Sequence, residues 1–276
     1  MNFAQLKKKK LGDFYEWARD QEIRGEPVSN NSINTYVKQL IRIATHAAEA
    51  NEWPGYKPFF GYRPLKVTDP YNDIDPFTLD EQSRIFKALQ LFWRPYVEFA
   101  FASGVSVGEL NAIRLSDLKM GSQPTVVIDE AWTREENGKT VIGTTKNSYR
   151  MRTLQMNPRM LQAVEAQFRW REKKGIESQF FFCKMDGSPI SDSTWFITNV
   201  WRPTLKRIDM SYRSFREARH SFATEHLSKG GDPLKIAAFL GHRDAQMVLK
   251  RYAKFKKKYE GVGVGMDDHV QRDFGV

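Results

Sequence analysis

The segment SFREARH at residues 214–220, followed by LGH at residues 240–242 and by Arg251 and Tyr252, is the most informative part of this 276-residue chain. It places the guanidiniums of Arg216 and Arg219, the imidazole of His242 and the phenol of Tyr252 within one short C-terminal stretch. A tyrosine that attacks a phosphodiester needs such neighbours, because fixed cations and hydrogen-bond donors stabilise the charge that develops on the phosphate oxygens. The cluster therefore indicates phosphate chemistry.

Two arginines of this segment are predicted to share the first turn of a helix. Ser214 and Glu217 have the spacing of a capping box, which places the start of the helix at Phe215. Arg216 and Arg219 then lie three residues apart on one face, where backbone N–H groups and the helix dipole favour an anion. The plainer interpretation is a pair of surface arginines, and spacing alone does not decide between the two.

Two further helices are predicted to carry His242 and Tyr252. Gly241 ends the first of them, so that His242 is held at a helix C-terminus and not in a mobile loop. Tyr252 follows on a helix with apolar residues at helical spacing. A lone tyrosine more often packs in a core than attacks a substrate. Its combination with the arginines and His242 favours a chemical role here.

Composition indicates a globular protein with a polyanionic partner. The chain is 41% hydrophobic and 13% aromatic, which is enough to form a core. Its 43 basic and 33 acidic side chains give a net charge of +10, which favours nucleic acid, although many basic proteins bind none. No apolar run is long enough to span a membrane. The single cysteine, Cys183, excludes an internal disulfide and is expected to be buried.

Hydrophobic periodicity divides the chain into two parts. Residues 1–66 predict a helical domain, and residues 67–76, rich in Pro, Asp and Asn, predict a linker. Residues 77–276 predict a second domain that is mainly α-helical with a small antiparallel β-sheet (α+β) and ends in a C-terminal tail. One antiparallel sheet is expected from three short strands: residues 125–128, 140–143 and 151–154.

A resemblance to a known family joins these segments. Residues 216–224 (REARHSFAT), residues 240–242 and the Arg-Tyr pair at 251–252 resemble the C-terminal signature of the tyrosine recombinases, or phage integrase family. Upstream, ASGVSVGEL at residues 102–110 is similar to the first catalytic box of that family. TKNS at residues 145–148 resembles the hairpin that carries its catalytic lysine. The helical first part is similar to the family's core-binding domain, which binds DNA.

The resemblance implies a role for each matching residue. Tyr252 would attack the scissile phosphate to form a 3′-phosphotyrosyl link, and Arg219 would clamp that phosphate. Lys146 would protonate the leaving 5′ oxygen, and His242 would bind or assist at the phosphate. Because the link conserves the energy of the phosphodiester bond, the resemblance implies neither a cofactor nor a metal ion.

Two positions depart from the family's pattern. Ser106 stands where the family has its first catalytic arginine, and Arg216 replaces the histidine of the His-x-x-Arg motif. Removing one such charge from a buried phosphate site commonly lowers the rate by about 10²–10³-fold. We therefore expect impaired cleavage, with Arg216 partly replacing the missing cation. The alternative is a recombinase that binds DNA but is deficient in cleavage.

The family resemblance implies a site-specific recombinase for a mobile element or phage. Such a protein binds double-stranded DNA, cleaves and rejoins strands for integration or excision, and assembles as a homotetramer on paired sites. Without DNA we expect a monomer or weak oligomer, located in the cytoplasm of a bacterial or phage-infected cell. Two other classes stay open: a DNA-binding or regulatory protein on the same scaffold without cleavage activity, and a topoisomerase-like relaxing enzyme.

Overall fold

A computed structural model describes residues 8–23, 25–53, 55–57, 59, 61–67, 74–135, 138–144 and 148–256. The chain divides into two compact units, Met1–Asp73 and Ile74–Val276. Among the described residues, no helix is long and apolar enough to cross a membrane. Helices dominate both units, and the strands are few, short and antiparallel. The predicted α+β class, mainly helical, is confirmed.

The described part of the first unit contains two helices joined by a small hairpin. Its elements are α1 (Lys8–Arg19), β1 (Glu22–Ile23), β2 (Glu26–Pro27) and α2 (Asn30–Ala50). Leu11, Val37, Ala44 and Phe59 form its buried core. Asn34 on α2 holds the segment that follows, because its side chain both donates to and accepts from the backbone of Leu65.

Nine helices of the second unit are described, and several of them begin at a side-chain cap. They are α3 (Leu79–Ala88), α4 (Arg94–Ser103), α5 (Val107–Ala112), α6 (Pro158–Lys174), α7 (Ser193–Phe196), α8 (Arg202–Arg207), α9 (Glu217–Ser228), α10 (Pro233–Leu240) and α11 (Ala245–Lys256). Thr78 opens α3 with a capping box, and Asn157 accepts a hydrogen bond from the third residue of α6. A π-helical segment, Ile197–Trp201, connects α7 to α8.

The strands of the second unit form two small sheets, so the expected single sheet is wrong in its membership. The strands are β3 (Leu118–Lys119), β4 (Thr125–Ile128), β5 (Glu130–Arg134), β6 (Thr140–Thr144) and β7 (Arg152–Gln155). β4 lies between β3 and β7, whereas β6 pairs with β5. β5 escaped prediction because glutamate, alanine and arginine favour strands weakly. Once β5 occupies the edge of β6, the partner left for β4 is β7.

Aromatic packing in the second unit anchors the segment at residues 214–220. The ring of Phe215 is 2% exposed and packs on Trp201 (ring centroids 4.9 Å apart) and on Tyr96 (5.6 Å). Because Phe215 is fixed in the core, the neighbouring Arg216 starts from a rigid backbone position. Cys183 is buried in the same core, and burial raises the pKa of its thiol.

Candidate active site

Ser106 lies at the junction of α4 and α5, where Gly104 turns the chain. Gly104 is left-handed (φ 61°), and a Cβ there would lie 2.7 Å from the ring of Phe222. Ser106 then caps α5: its hydroxyl accepts from the N–H of Glu109 (3.4 Å), and its own N–H donates to the Glu109 carboxylate (2.8 Å). The position expected to hold an arginine is thus occupied by an uncharged helix cap.

The Glu109 carboxylate is a buried anion that joins several elements. It is 2% exposed and accepts hydrogen bonds from Nη1 (3.1 Å) and Nη2 (3.2 Å) of Arg152 on β7. Nε of Arg152 donates to the carbonyl of Phe239 on α10 (2.7 Å). Burial alone would raise the pKa of Glu109, but the charge and hydrogen bonds of Arg152 hold that pKa below its ordinary value. The pair connects α5, β7 and α10.

Arg219 projects from the first turn of α9 into the same region. Its Nη1 donates to the carbonyl of Gly104 (2.9 Å), and its Nη2 donates to the carbonyl of Leu240 (2.7 Å). The Glu109 carboxylate lies 4.0 Å away. Burial lowers the pKa of Arg219 to about 10, and the charge of Glu109 opposes that effect. At neutral pH Arg219 is therefore a charged and rigidly held guanidinium.

These elements surround a cavity of about 390 Å³. Its apolar lining includes Val105, Val107 and Met247. The polar lining contains four arginines and a single carboxylate among the described residues: Ser106, Glu109, Arg150, Arg216, Arg219, His242 and Arg251. With that excess of positive charge and several N–H donors, the cavity is chemically suited to an oxyanion such as phosphate.

His242 lies directly after the glycine that ends α10. Gly241 is left-handed (φ 70°), and the N–H of His242 donates to the carbonyl of Ala237 (2.8 Å). Burial lowers the pKa of His242 to about 3, and the charges of Arg219 and Arg251 add to this. The ring is therefore neutral at pH 7. Its buried Nδ1 has no hydrogen-bond partner among the described residues.

Tyr252 on α11 is fully buried, and its hydroxyl contacts a second histidine. The phenol oxygen lies 2.6 Å from Nδ1 of His220, which is 4% exposed. Burial raises the pKa of Tyr252 to about 12, although the nearby charges of Arg219 and Arg251 act in the opposite direction. Burial, followed by the charges of Arg216 and Arg251, lowers the pKa of His220 to about 3. The two groups therefore share a hydrogen bond between a neutral imidazole and a neutral phenol.

The structure brings together four of the six residues predicted for the site. Ser106, Arg216, Arg219 and His242 line the cavity, whereas Tyr252 is not among its described lining residues and points to His220. Lys146, the sixth, lies outside the described residues. The sequence predicted no role for Arg150, Arg251 or Glu109. Arg251 and Glu109 lie within the segments that resemble the family, and Arg150 lies two residues after one of them.

The predicted start of α9 is wrong by two residues. The helix begins at Glu217 and not at Phe215, with Arg216 at the N-cap position. Ser214 and Glu217 do not form a capping box, because the Glu217 carboxylate accepts instead from the N–H of Asp75 (3.1 Å). The Ser214 hydroxyl accepts from the N–H of Arg216 (3.3 Å). Even so, Arg216 and Arg219 face one cavity.

Comparisons with curated proteins find relatives that are longer than this chain. The tyrosine recombinase XerC-like protein of Caldanaerobacter subterraneus subsp. tengcongensis is 27% identical over 202 residues, covering 65% of this chain and 50% of that protein. The IntQ protein of Escherichia coli (strain K12) is 33% identical over 70 residues, covering 25% of this chain and 18% of that protein. The chain thus spans half or less of these relatives.

Solved structures with a similar fold include integrases bound to DNA. The Tn1549 transposon integrase in complex with circular intermediate DNA superposes with a TM-score of 0.69 at 20% identity, covering 88% of this chain and 81% of that one. A lambda integrase dimer bound to a COC′ core site superposes with a TM-score of 0.63 at 16% identity, covering 96% of this chain and 84% of that one. The model of the phage integrase family matches residues 77–258, which include every described residue of the cavity. Since this match spans most of the chain, the protein belongs to the phage integrase family.

Proposed function

We propose that this protein is a site-specific recombinase that cleaves and rejoins duplex DNA through Tyr252. The observation that carries the proposal is the cavity. It collects Ser106, Arg216, Arg219 and His242 from separate parts of the chain into one positively charged space. Tyr252 follows directly on Arg251, which also lines that space. A phosphodiester is the natural ligand of such a site in a DNA-binding family.

In the proposed reaction, the scissile phosphate occupies the cavity. Arg216 and Arg219 donate to its non-bridging oxygens, and His242 contacts the same group. The phenol of Tyr252 loses its proton as its oxygen bonds to phosphorus, while the bond from phosphorus to the 5′ oxygen breaks. Lys146 supplies the proton to that 5′ oxygen. A 5′-hydroxyl from another strand then reverses the step, so the energy of the bond is conserved.

The proposed substrate is duplex DNA at the ends of a mobile element or phage. The Tn1549 and lambda integrases, which share the fold, are both recorded bound to DNA. We propose that residues 1–66 form a DNA-binding core-binding domain, residues 67–76 a linker, and residues 77–276 the catalytic domain with its tail. We further propose a homotetramer on paired sites and action in the cytoplasm of a bacterial or phage-infected cell.

One observation favours a second candidate, a recombinase scaffold that binds DNA without cutting it. Ser106 lines the cavity but adds no charge, because a serine side chain is neutral. Its hydroxyl caps α5. A phosphate site that lacks one of its cations stabilises the transition state less, which lowers the rate by about 10²–10³-fold for a single lost donor. DNA binding through the rest of the surface would survive that loss.

A nicked suicide duplex distinguishes the two candidates. Target duplexes are first selected from a random pool by binding to Tyr252→Phe, which cannot form the covalent link. The wild type, Tyr252→Phe and Ser106→Arg are then incubated with the nicked target and run on a denaturing gel. Tyr212→Phe serves as the matched control, because Tyr212 is an exposed tyrosine at which the same hydroxyl is removed.

A covalent band from the wild type and from Tyr212→Phe, absent in Tyr252→Phe, is the expected result. A band that appears only with Ser106→Arg would establish the DNA-binding alternative. If none of the proteins gives a band on a duplex that all of them bind, Tyr252 is not the nucleophile and the proposed function is wrong.

A further inference from the structure

We propose that Arg150 supplies the phosphate-binding charge that Ser106 lacks. This inference rests on the proposed function, and it goes beyond the expectation that Arg216 replaces the missing cation. Arg150 lies in the 3₁₀ turn Ser148–Arg150, just before β7, and its side chain lines the same cavity as Ser106. The charge would therefore enter the phosphate site from a different segment of the chain.

The backbone of Arg150 is held firmly on both sides. Its carbonyl accepts a hydrogen bond from Nη1 of Arg152 (2.8 Å), and Arg152 is itself bound to the buried Glu109. On the other side, a Cβ built on Gly241 would lie only 3.3 Å from the Cα of Arg150. Arg150 thus sits against the turn that presents His242. The Cα that carries the side chain is therefore fixed beside the cavity, which lowers the cost of ordering Arg150 on a ligand.

The guanidinium of Arg150 has all its donors free among the described residues, whereas two others nearby are partly engaged. Arg152 donates to Glu109 and to two backbone carbonyls, and the terminal nitrogens of Arg219 each donate to a carbonyl. Among the described residues, the Arg150 guanidinium makes no hydrogen bond or ion pair, and the residue is exposed. Its fork of N–H donors is therefore unoccupied when a phosphate arrives.

The charge of Arg150 already acts on the groups of the site. It lowers the pKa of both Arg219 and His242, after the larger effect of burial on each. An anion in the cavity would relieve this repulsion between like charges. Arg216 takes the place of a histidine in the family's pattern, so the charge of the arginine that Ser106 replaces is still missing from its own side of the site. Arg150 restores it.

Inorganic phosphate tests the binding part of the proposal without any cleavage. Phosphate is titrated into the wild type, Arg150→Ala and Arg169→Ala, and binding is followed through the imidazole NMR signal of His242. Arg169 is an exposed arginine on α6, away from the cavity, and controls for loss of net charge. We expect binding to Arg150→Ala to be about tenfold weaker or more, the value of one charge-assisted contact. Equal affinities in all three proteins would overturn the proposal.

Rescue of Arg150→Ala by Ser106→Arg tests the catalytic part of the proposal. Formation of the covalent adduct on the nicked target is timed for the wild type, Arg150→Ala, Ser106→Arg and the double variant. Arg150→Ala should be about 10²-fold slower than the wild type, and Ser106→Arg should recover most of that loss in the double variant. An equally slow double variant would show that Arg150 does not stand in for the missing arginine.

The two experiments separate this inference from the proposed function. If no variant forms an adduct, the proposed function fails, yet the phosphate titration still decides whether Arg150 binds an oxyanion in the cavity. If adducts form at equal rates with and without Arg150, the recombinase proposal stands and the role of Arg150 is wrong.

Discussion

At Tyr252, burial and the nearby positive charges shift the pKa of the hydroxyl in opposite directions. Burial raises its pKa to about 12, while Arg219 and Arg251 favour the phenolate. Its partner His220 is neutral, and Nδ1 of its ring lies 2.6 Å from the phenol oxygen. Because both side chains are buried, each would be left with an unmade hydrogen bond if the other were removed. To reach a phosphate in the cavity, the Tyr252 hydroxyl has to leave this contact.

A double-mutant cycle measures that contact. We expect His220→Leu to lower the free energy of unfolding by about 1–3 kcal/mol, because the phenol then stays buried without an acceptor. Tyr252→Phe removes the other half of the pair. The double variant should lose less than the sum of the two single variants, by about 1 kcal/mol. Urea unfolding followed by fluorescence supplies the values, and strictly additive losses would show that the pair contributes nothing.

At the residue scale, the sequence singled out Arg216, Arg219 and His242, and these three residues line one cavity. Their role at a phosphate stays a prediction. The burial of the Tyr252 hydroxyl against His220 was not predictable. It depends on how α11 packs against α9, and no local pattern encodes that packing.

At the scale of elements, the turn between α10 and His242 is held by close contacts. Gly241 has φ 70°, and a Cβ there would lie 2.8 Å from Nη1 of Arg152. Any side chain at this position would push on the guanidinium that pairs with Glu109. The turn therefore couples His242 to the buried ion pair, and through it to the backbone of Arg150.

Gly241→Ala should consequently cost more than the same change at a helix end with free space. Gly175, which ends α6 with φ 59° and has nothing within 4 Å of a Cβ, is the matched control. The left-handed backbone alone costs about 1–2 kcal/mol at either glycine. We expect Gly241→Ala to lose at least about 1 kcal/mol more, since a buried ion pair is disturbed as well. Equal losses in urea unfolding would contradict this account.

The predictions of strand pairing and of the helix cap failed where the outcome depended on contacts between distant segments. β6 was expected beside β4 and β7, but it pairs with β5, a strand of weak intrinsic propensity. The capping box assigned to Ser214 and Glu217 likewise gave way to a contact between Glu217 and Asp75, from a distant part of the chain. In both cases tertiary contacts overrode a local preference.

For the whole molecule, a net charge of +10 predicts binding to DNA that depends strongly on salt. Each phosphate contact releases condensed counterions, so a protein with six to ten contacts loses about 10³–10⁵ in affinity between 50 and 200 mM salt. Fluorescence anisotropy with Tyr252→Phe measures this without cleavage. Arg216→Ala should reduce the salt slope by about one unit if that arginine contacts a phosphate. A slope near zero would argue against DNA as the ligand.

The sequence alone determined the fold class, the positive charge and the order of the segments that identify the family, because these follow from composition and local spacing. Only the tertiary structure decided which charged side chains face one another. Glu109, Arg152 and Arg219 meet because α5, β7 and α9 pack together, and the same packing brings Arg150 to the cavity that Ser106 lines without charge. Contacts between distant segments depend on the packing of the whole domain, and no stretch of sequence specifies that packing by itself.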